Sequence, residues 1–495
     1  MPEPRNAAAE PAYRARWIPA GPVIFLALLL MPRPEGMTAE GQATLAMAGW
    51  MAAWWLTVAL PLAVTALLPL VLIPVLGIGS PGAAAAPYAN SVIFLFMGGF
   101  FIATAMQRWH LHRRIALAVV ARTGTSPRRL VAGFMLACAL LSMWMSNTAA
   151  TLMMMPIGIA VLSLLEVPGA SDSTHDAGAL GVALMLGIAY AGSIGGVATL
   201  IGTPPNAVLA GLADELLSVD VSFARWMTIG LPVSGVMLIA CWALLCLVIF
   251  PLPGRPIAGA ATVIDAEQAK LGAWQPAERV IAWVFGLAAF AWIFRAPKQV
   301  GDLTIPGIQT LLPEVGDSTI AIGAALLLFL WPARDRGGER TRVLDWSHAA
   351  KIPWDILVLF GGGLSLAAAF ASTGLTTWLG GELAVLDGLP NLLIIAAVAT
   401  TFVFVTEITS NTATATLGLP VMAALGPSVG VEPLALMTAA AMGSSMAFML
   451  PVATPPNAIV FGTGYIEPAE MSRAGFWLNW LGIIVITTAV AIAFG

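Results

Sequence analysis

The apolar runs of this chain are too long and too numerous for a water-soluble core. Stretches at 91–107, 226–251, 279–295, 318–332 and 474–494, taken with their neighbours, reach the roughly 20 residues that cross about 30 Å of hydrocarbon. Composition agrees: 59% of the 495 residues are hydrophobic and only 10% are charged, which describes a polytopic membrane protein. Backbone polar groups in lipid need internal partners, so an all-α fold is expected. The runs predict about eleven transmembrane helices plus two helical hairpins.

A polar N-terminal stretch with Arg5, Arg14 and Arg16 leads into WIPAGPVIFLALLLMP with no small-residue cleavage site after it. It reads as a cytoplasmic tail followed by a first crossing. Cys138, Cys241 and Cys246 lie in apolar segments without CxxC or His spacing, so they read as small buried hydrophobes. A net charge of −4 and the lack of a basic low-complexity tail give no sign of nucleic-acid binding.

Arginines 108, 113, 114, 122, 128 and 129 form a cluster without an acid, and five basic residues lie between Arg334 and Lys351. Both loops are expected in the cytoplasm, with the N-terminus inside and the C-terminus outside. Lipid or RNA contacts are the weaker reading of these clusters beside their topological role.

The stretch WMSNTAATL, 144–152, returns as ITSNTATATL, 408–417. Ser142 stands four before Ser146 as Thr406 stands four before Ser410, and Pro156 and Pro420 follow Asn147 and Asn411 by nine. A second motif follows each copy, LIGTPPNAVLAG at 200–211 and PVATPPNAIVFG at 451–462, with Ser193 and Ser444 ten residues before its Thr. A polar insert, ASDSTHDAG near 170, accounts for the longer spacing in the first copy. About five crossings separate equivalent points, so the halves are expected to be inverted repeats, the architecture of alternating-access carriers.

Hydroxyls at i and i+4 share one helix face, and the following Asn-Thr marks the point where an apolar helix turns back. Segments 130–165 and 390–425 are therefore expected to be hairpins tipped by SNT. Free amides at such a tip suit an anion, while carbonyl and side-chain oxygens suit a hard cation. The prolines of TPPN remove two donors and free carbonyls on the preceding turn. Gly202 and Ala453, small residues before each Thr, let a backbone oxygen approach an ion. One SNT could be interhelical glue and one TPPN a kink; the matched duplication points to a binding site.

Glu407, beside the second tip, reads first as a structural partner and second as a tuner of ion affinity. The glycines of FMGGFFIATA and FGGGLSLAAAF read as close-packing points, and the 17 tryptophans as an interfacial belt. His110, His112, His175 and His348 fall in predicted loops, so neither Ser146 nor Ser410 has a base nearby and no enzyme is expected. No Lys or Arg falls in the hairpins or TPPN segments. An anionic substrate would need helix ends, polar side chains or co-bound cations, and sodium is the natural partner. Paired binding loops suit an occluding site better than a channel.

SNTAATLMMMP with IGTPPNAV, TEITSNTATATLGLP, IPWDILVLFGGGLSLAAAF and SSMAFMLPVATPPNAIV resemble the divalent anion/sodium symporter family, which includes sodium-coupled dicarboxylate and citrate carriers. The resemblance runs from about 45 to 490. It implies an elevator transporter, usually a homodimer in the lipid bilayer, with scaffold parts 1–128 and 279–389. Transport parts would be 129–252 and 390–495, with a cytoplasmic linker at 253–278.

By that resemblance one sodium site would use Ser142, Ser146, Asn147 and the Gly202 carbonyl. Its counterpart would use Thr406, Ser410, Asn411 and the Ala453 carbonyl. Asn147, Thr148, Asn411 and Thr412 would meet substrate carboxylates, with Thr203, Thr454 and Pro455 lining the pocket. The expected activity is sodium-coupled import of C4-dicarboxylates such as succinate, malate and fumarate across a bacterial inner membrane. The family also contains sodium-independent exchangers and citrate and sulfate carriers.

Overall fold

A computed structural model describes residues 15–163, 174–257, 259–300, 303–335 and 337–495. The tail carrying Arg5 and Arg14, and residues 170–173 of the insert near 170, lie outside the described residues. The described chain is helical apart from two small antiparallel ribbons, Lys298–Val300 with Leu303–Ile305 and Pro332–Arg334 with Arg340–Arg342.

Among the described residues, six helices are long and apolar enough to cross a bilayer: Pro81–Arg108, Gly178–Val197, Phe223–Ile249, Pro276–Ile293, Trp354–Ser372 and Pro468–Phe494. Leu375–Leu386 and Asn391–Thr406, bent by 115° at their break, make a seventh if taken as one span. The remaining apolar segments are shorter, among them Ala15–Leu30, Asn147–Leu162, Asp317–Leu330 and Pro433–Gly443. Between several of the helices the chain is interrupted. After Ala39–Thr57, for example, Val58 turns left-handed at φ 51° and Pro61 precedes Leu62–Thr65.

Thr174–Val197 forms the centre, and it is buried throughout from Leu180 to Val197. It packs against Pro127–Ser142, Asn147–Leu162, Phe223–Ala243 and Pro455–Phe461. Small residues permit this: a Cβ on Gly195 would lie 2.4 Å from Ala139 O, so glycine lets the two backbones touch. Large apolar side chains such as Val236, Ile239, Trp283, Leu287, Leu330 and Ile492 point outward, as lipid-facing helices require.

The arginine-rich side is held by ion pairs. Arg108 reaches Asp345 at 2.7 Å, and Arg114 reaches Glu278 at 3.2 Å. The expected linker 253–278 includes the helix Ala260–Ala269, which packs on Leu111–Thr123 through an Arg113–Glu267 pair. His112, expected in a loop, instead opens Leu111–Thr123 and is buried with Nδ1 2.9 Å from Met106 O. Burial pushes its pKa down to about 4. The tryptophans divide. Trp331, Trp346 and Trp477 are exposed, whereas Trp55, Trp226 and Trp292 are fully buried and donate their indole N–H to Leu62 O, Val197 O and Asp317 O. Those three serve the core rather than a belt.

Candidate functional site

In the first copy, Pro127–Ser142 ends just before the SNT motif and Asn147–Leu162 begins within it. Ser146 is the N-cap, its Oγ accepting from Ala149 N at 3.3 Å, so the break is closed by a capping hydroxyl. Asn147 and Thr148 occupy the first turn, where amides lack intrahelical acceptors. Ser142 Oγ lies 2.6 Å from Asn147 Oδ1 and 2.6 Å from Gly192 O.

Asn147 turns its amide toward three oxygens. With nitrogen inward it donates to Ser142 Oγ at 2.6 Å, Gly192 O at 3.2 Å and Gly202 O at 3.2 Å. With oxygen inward, Asn147 Oδ1 joins these atoms in a cluster of four oxygens. Such a cluster is electrostatically unfavourable when empty and suits a hard cation.

The second copy repeats this construction. Thr406 closes Asn391–Thr406, and its Oγ1 donates to Asn411 Oδ1 at 2.8 Å and Ser444 O at 2.8 Å. Ser410 is the N-cap residue of Asn411–Ser428 and makes no side-chain cap bond. Thr412 is buried, as are Ala453 and Thr454, while Pro455 is exposed.

TPPN starts a new helix in both copies. Thr203 and Thr454 are extended N-caps and Pro204 and Pro455 occupy the first helical position, where a missing N–H costs nothing. The Asn of the motif then clamps the interrupted strand of backbone ahead of it. Asn206 Nδ2 donates to Gly196 O, Val197 O and Thr199 O at 3.2, 3.2 and 2.8 Å; Asn457 Nδ2 donates to Ala447 O and Leu450 O at 3.2 and 3.1 Å. These fully buried asparagines were not among the expected site residues. Their recurrence as the last residue of TPPN in both copies was the available signal.

Glu407 supplies what only the second copy has. Its carboxylate accepts from Phe448 N at 2.7 Å, Met449 N at 2.9 Å, Leu450 N at 3.2 Å and Asn479 Nδ2 at 2.8 Å. Three successive amides thus converge on one buried acid, an anion-holding nest. Met143 occupies the matching place in the first copy. There the interruption is held by neutral bonds, Thr199 Oγ1 to Met143 O and Trp226 Nε1 to Val197 O.

The copies interlock reciprocally. Pro455–Phe461 packs on Asn147–Leu162, and Pro204–Leu217 packs on Asn411–Ser428. Tyr190, fully buried, donates its hydroxyl to Phe448 O at 2.7 Å, joining the central helix of the first copy to the interruption of the second. The structure therefore brings Ser142, Asn147 and Gly202 into one cluster, and Thr406 and Asn411 into another with Ser444 O. No Lys or Arg occurs between Arg129 and Arg225 or between Lys351 and Arg473, so neither cluster carries a fixed cation from its own segment.

The family described as the sodium:sulfate symporter transmembrane region matches residues 18–494. The chain is 43% identical over 471 residues to the sodium-dependent dicarboxylate transporter SdcS of Staphylococcus saprophyticus, covering 95% of this chain and 89% of that protein. It is 42% identical to the protein of that name from Staphylococcus aureus, with the same coverage. Among solved structures it is similar to the Alcanivorax borkumensis YdaH transporter, with TM-score 0.54, 18% identity, and 81% and 85% of the two chains covered. It is also similar to Neisseria gonorrhoeae MtrF, with TM-score 0.56, 13% identity, and 98% and 96% covered; at these identities the likeness concerns the fold alone. The family match embraces both copies of the SNT and TPPN motifs, and the chain belongs to the sodium:sulfate symporter family of membrane transporters.

Proposed function

We propose that this protein is a sodium-coupled importer of C4-dicarboxylates such as succinate, malate and fumarate. The observation that carries the reading is the duplicated oxygen cluster. Ser142 and Asn147 with two carbonyls, and Thr406 and Asn411 with a third carbonyl, offer two cation positions in a region without basic side chains. The activity for which the Staphylococcus relatives are named, sodium-dependent dicarboxylate transport, supports it.

Each sodium would draw the Asn side-chain oxygen and neighbouring hydroxyl and carbonyl oxygens around itself. Ser146 and the Gly202 carbonyl would complete the first set, Ser410 and the Ala453 carbonyl the second. Asn147, Thr148, Asn411 and Thr412, at the amide-rich starts of two helices, would then receive the substrate carboxylates. Thr203, Thr454 and Pro455 would line the pocket. Two sodium ions with a dianion move no net charge, whereas a third would add about 2.3 kcal/mol per 100 mV of driving force.

The reciprocal packing of the copies supports an inverted-repeat carrier in which parts 129–252 and 390–495 travel together as an elevator. Parts 1–128 and 279–389 would form the scaffold of a homodimer in a bacterial inner membrane, with the N-terminus cytoplasmic and the C-terminus outside. Uptake of radiolabelled succinate into proteoliposomes tests the function. Flux that requires external sodium, and is lost with Asn147→Ala or Asn411→Ala, is the expected result. Flux that needs only internal succinate would make the protein an exchanger, and no succinate flux would redirect the assay to citrate and sulfate.

A further inference from the structure

The ribbon at 332–342 holds a charge arrangement that membrane topology does not require. Its register sets Arg334 directly opposite Arg340, and like charges directly opposite each other destabilise a strand pair. Both arginines are exposed, and neither has a hydrogen bond or ion pair among the described residues. Arg342, opposite Pro332, is anchored by Nη1 to Leu330 O at 2.6 Å.

Together with Gln275, Pro276 and Thr341 these three arginines line a cavity of about 630 Å³. Pro276 starts the 18-residue helix Pro276–Ile293, so the cavity also lies at a positive helix end. Among the described residues none of the nearby acids, Glu278, Asp335 and Glu339, pairs with Arg334 or Arg340. Glu278 takes Arg114 at 3.2 Å and Gln275 N at 2.8 Å, and Asp335 takes Glu339 N at 2.8 Å within the ribbon's turn. An anion is the missing partner.

Its surroundings select the kind of anion. The ribbon leaves directly from Asp317–Leu330, whose Leu326, Leu327 and Leu330 are exposed, followed by exposed Trp331. On the neighbouring helix Trp283 and Leu287 are exposed too. Two lipid-facing apolar flanks thus lead to a basic cavity, a combination that suits a molecule with a charged head and hydrocarbon tails. We propose that the cavity binds the phosphodiester headgroup of an anionic phospholipid, with its acyl chains along Leu327, Leu330 and Trp283. The site does not depend on what the protein transports.

The test uses full-length protein purified from membranes in mild detergent. Phospholipids retained by wild type and by the Arg334→Gln/Arg340→Gln double variant are identified by mass spectrometry. Delipidated samples are then titrated with phosphatidylglycerol, phosphatidylcholine or inorganic phosphate while thermal unfolding is followed. Phosphatidylglycerol is expected to be enriched on wild type and to raise its melting temperature, with phosphatidylcholine and phosphate inactive. The double variant should bind phosphatidylglycerol about thirtyfold more weakly, and without lipid it should melt no lower than wild type, since the facing charges are gone. Equal phosphatidylglycerol affinity in the variant, or equal response of wild type to phosphatidylcholine, overturns the proposal. A response to inorganic phosphate as large as that to phosphatidylglycerol overturns the lipid assignment in favour of a soluble anion. Should the double variant fail to fold, the single Arg340→Gln protein decides in the same way: an undiminished preference for phosphatidylglycerol sinks the idea.

Discussion

Asn479 donates its side-chain amide to Glu407 Oε1 at 2.8 Å, tying the last long helix to the break in the second hairpin. Removing the acid strands that amide and the backbone N–H groups of Phe448, Met449 and Leu450. Glu407→Ala is expected to cost on the order of 3 kcal/mol. Glu407→Gln, which keeps one acceptor oxygen, should cost less. Thermal unfolding of the purified variants measures both, and an unaltered melting temperature for the alanine variant would show that the nest is not what holds residues 448–450.

Ser142 and Thr406 each bond the Asn Oδ1 of their own copy and one carbonyl, Gly192 O in the first and Ser444 O in the second. Ser142→Ala and Thr406→Ala should each raise the sodium concentration for half-maximal uptake several-fold while leaving the protein folded. Thr151→Ala and Thr414→Ala should change it little, since Thr151 lies against Cys138 and Thr414 Oγ1 bonds Thr409. Equal shifts in all four would remove the assignment of ion ligands.

A Cβ on Gly202 would lie 2.4 Å from Gly196 O, a contact with rigid backbone rather than with a pliable side chain. Gly202→Ala should therefore abolish sodium-dependent uptake and lower the melting temperature, even though alanine is native at position 453. Wild-type uptake by this variant would mean that the first interruption can open without loss.

His112 gives a pH dependence with a definite sign. Burial lowers its pKa from 6.5 to about 4, so the folded state prefers neutral imidazole. Its contribution to stability is complete above pH 6.5. As pH falls toward 4 the unfolded chain takes up the proton first, and up to about 3 kcal/mol is lost before the effect levels off below pH 4. Melting temperatures of wild type and His112→Asn should converge between pH 7 and pH 4.5; a constant difference would place the imidazole in water.

Repetition made the binding motifs legible. SNT and TPPN each occur twice in one order, and hydropathy places them inside lipid, so their oxygens could be expected to converge. The partners across the chain were not legible. Nothing local to Glu407 points to Asn479, and nothing near Asn206 shows that its amide closes the turn at 196–199 rather than facing a ligand. Hydropathy also overstates continuity: the apolar stretch after Thr57 reads as helix, but Val58 and Pro61 break it. Charge counting located the arginines of the 332–342 ribbon without showing that strand register would set two of them face to face.

The hydroxyl of Tyr190 finds its acceptor at Phe448, 258 positions later. A ribosome feeding this chain into a membrane releases the central helix long before that acceptor exists. Until the second half arrives, the phenol must be met by water, by a borrowed backbone oxygen or by the insertion machinery. Biogenesis of the binding region is thus a late event, and a truncated chain lacking the second half would carry an inserted but unfinished first half, marked for quality control by its own unsatisfied tyrosine.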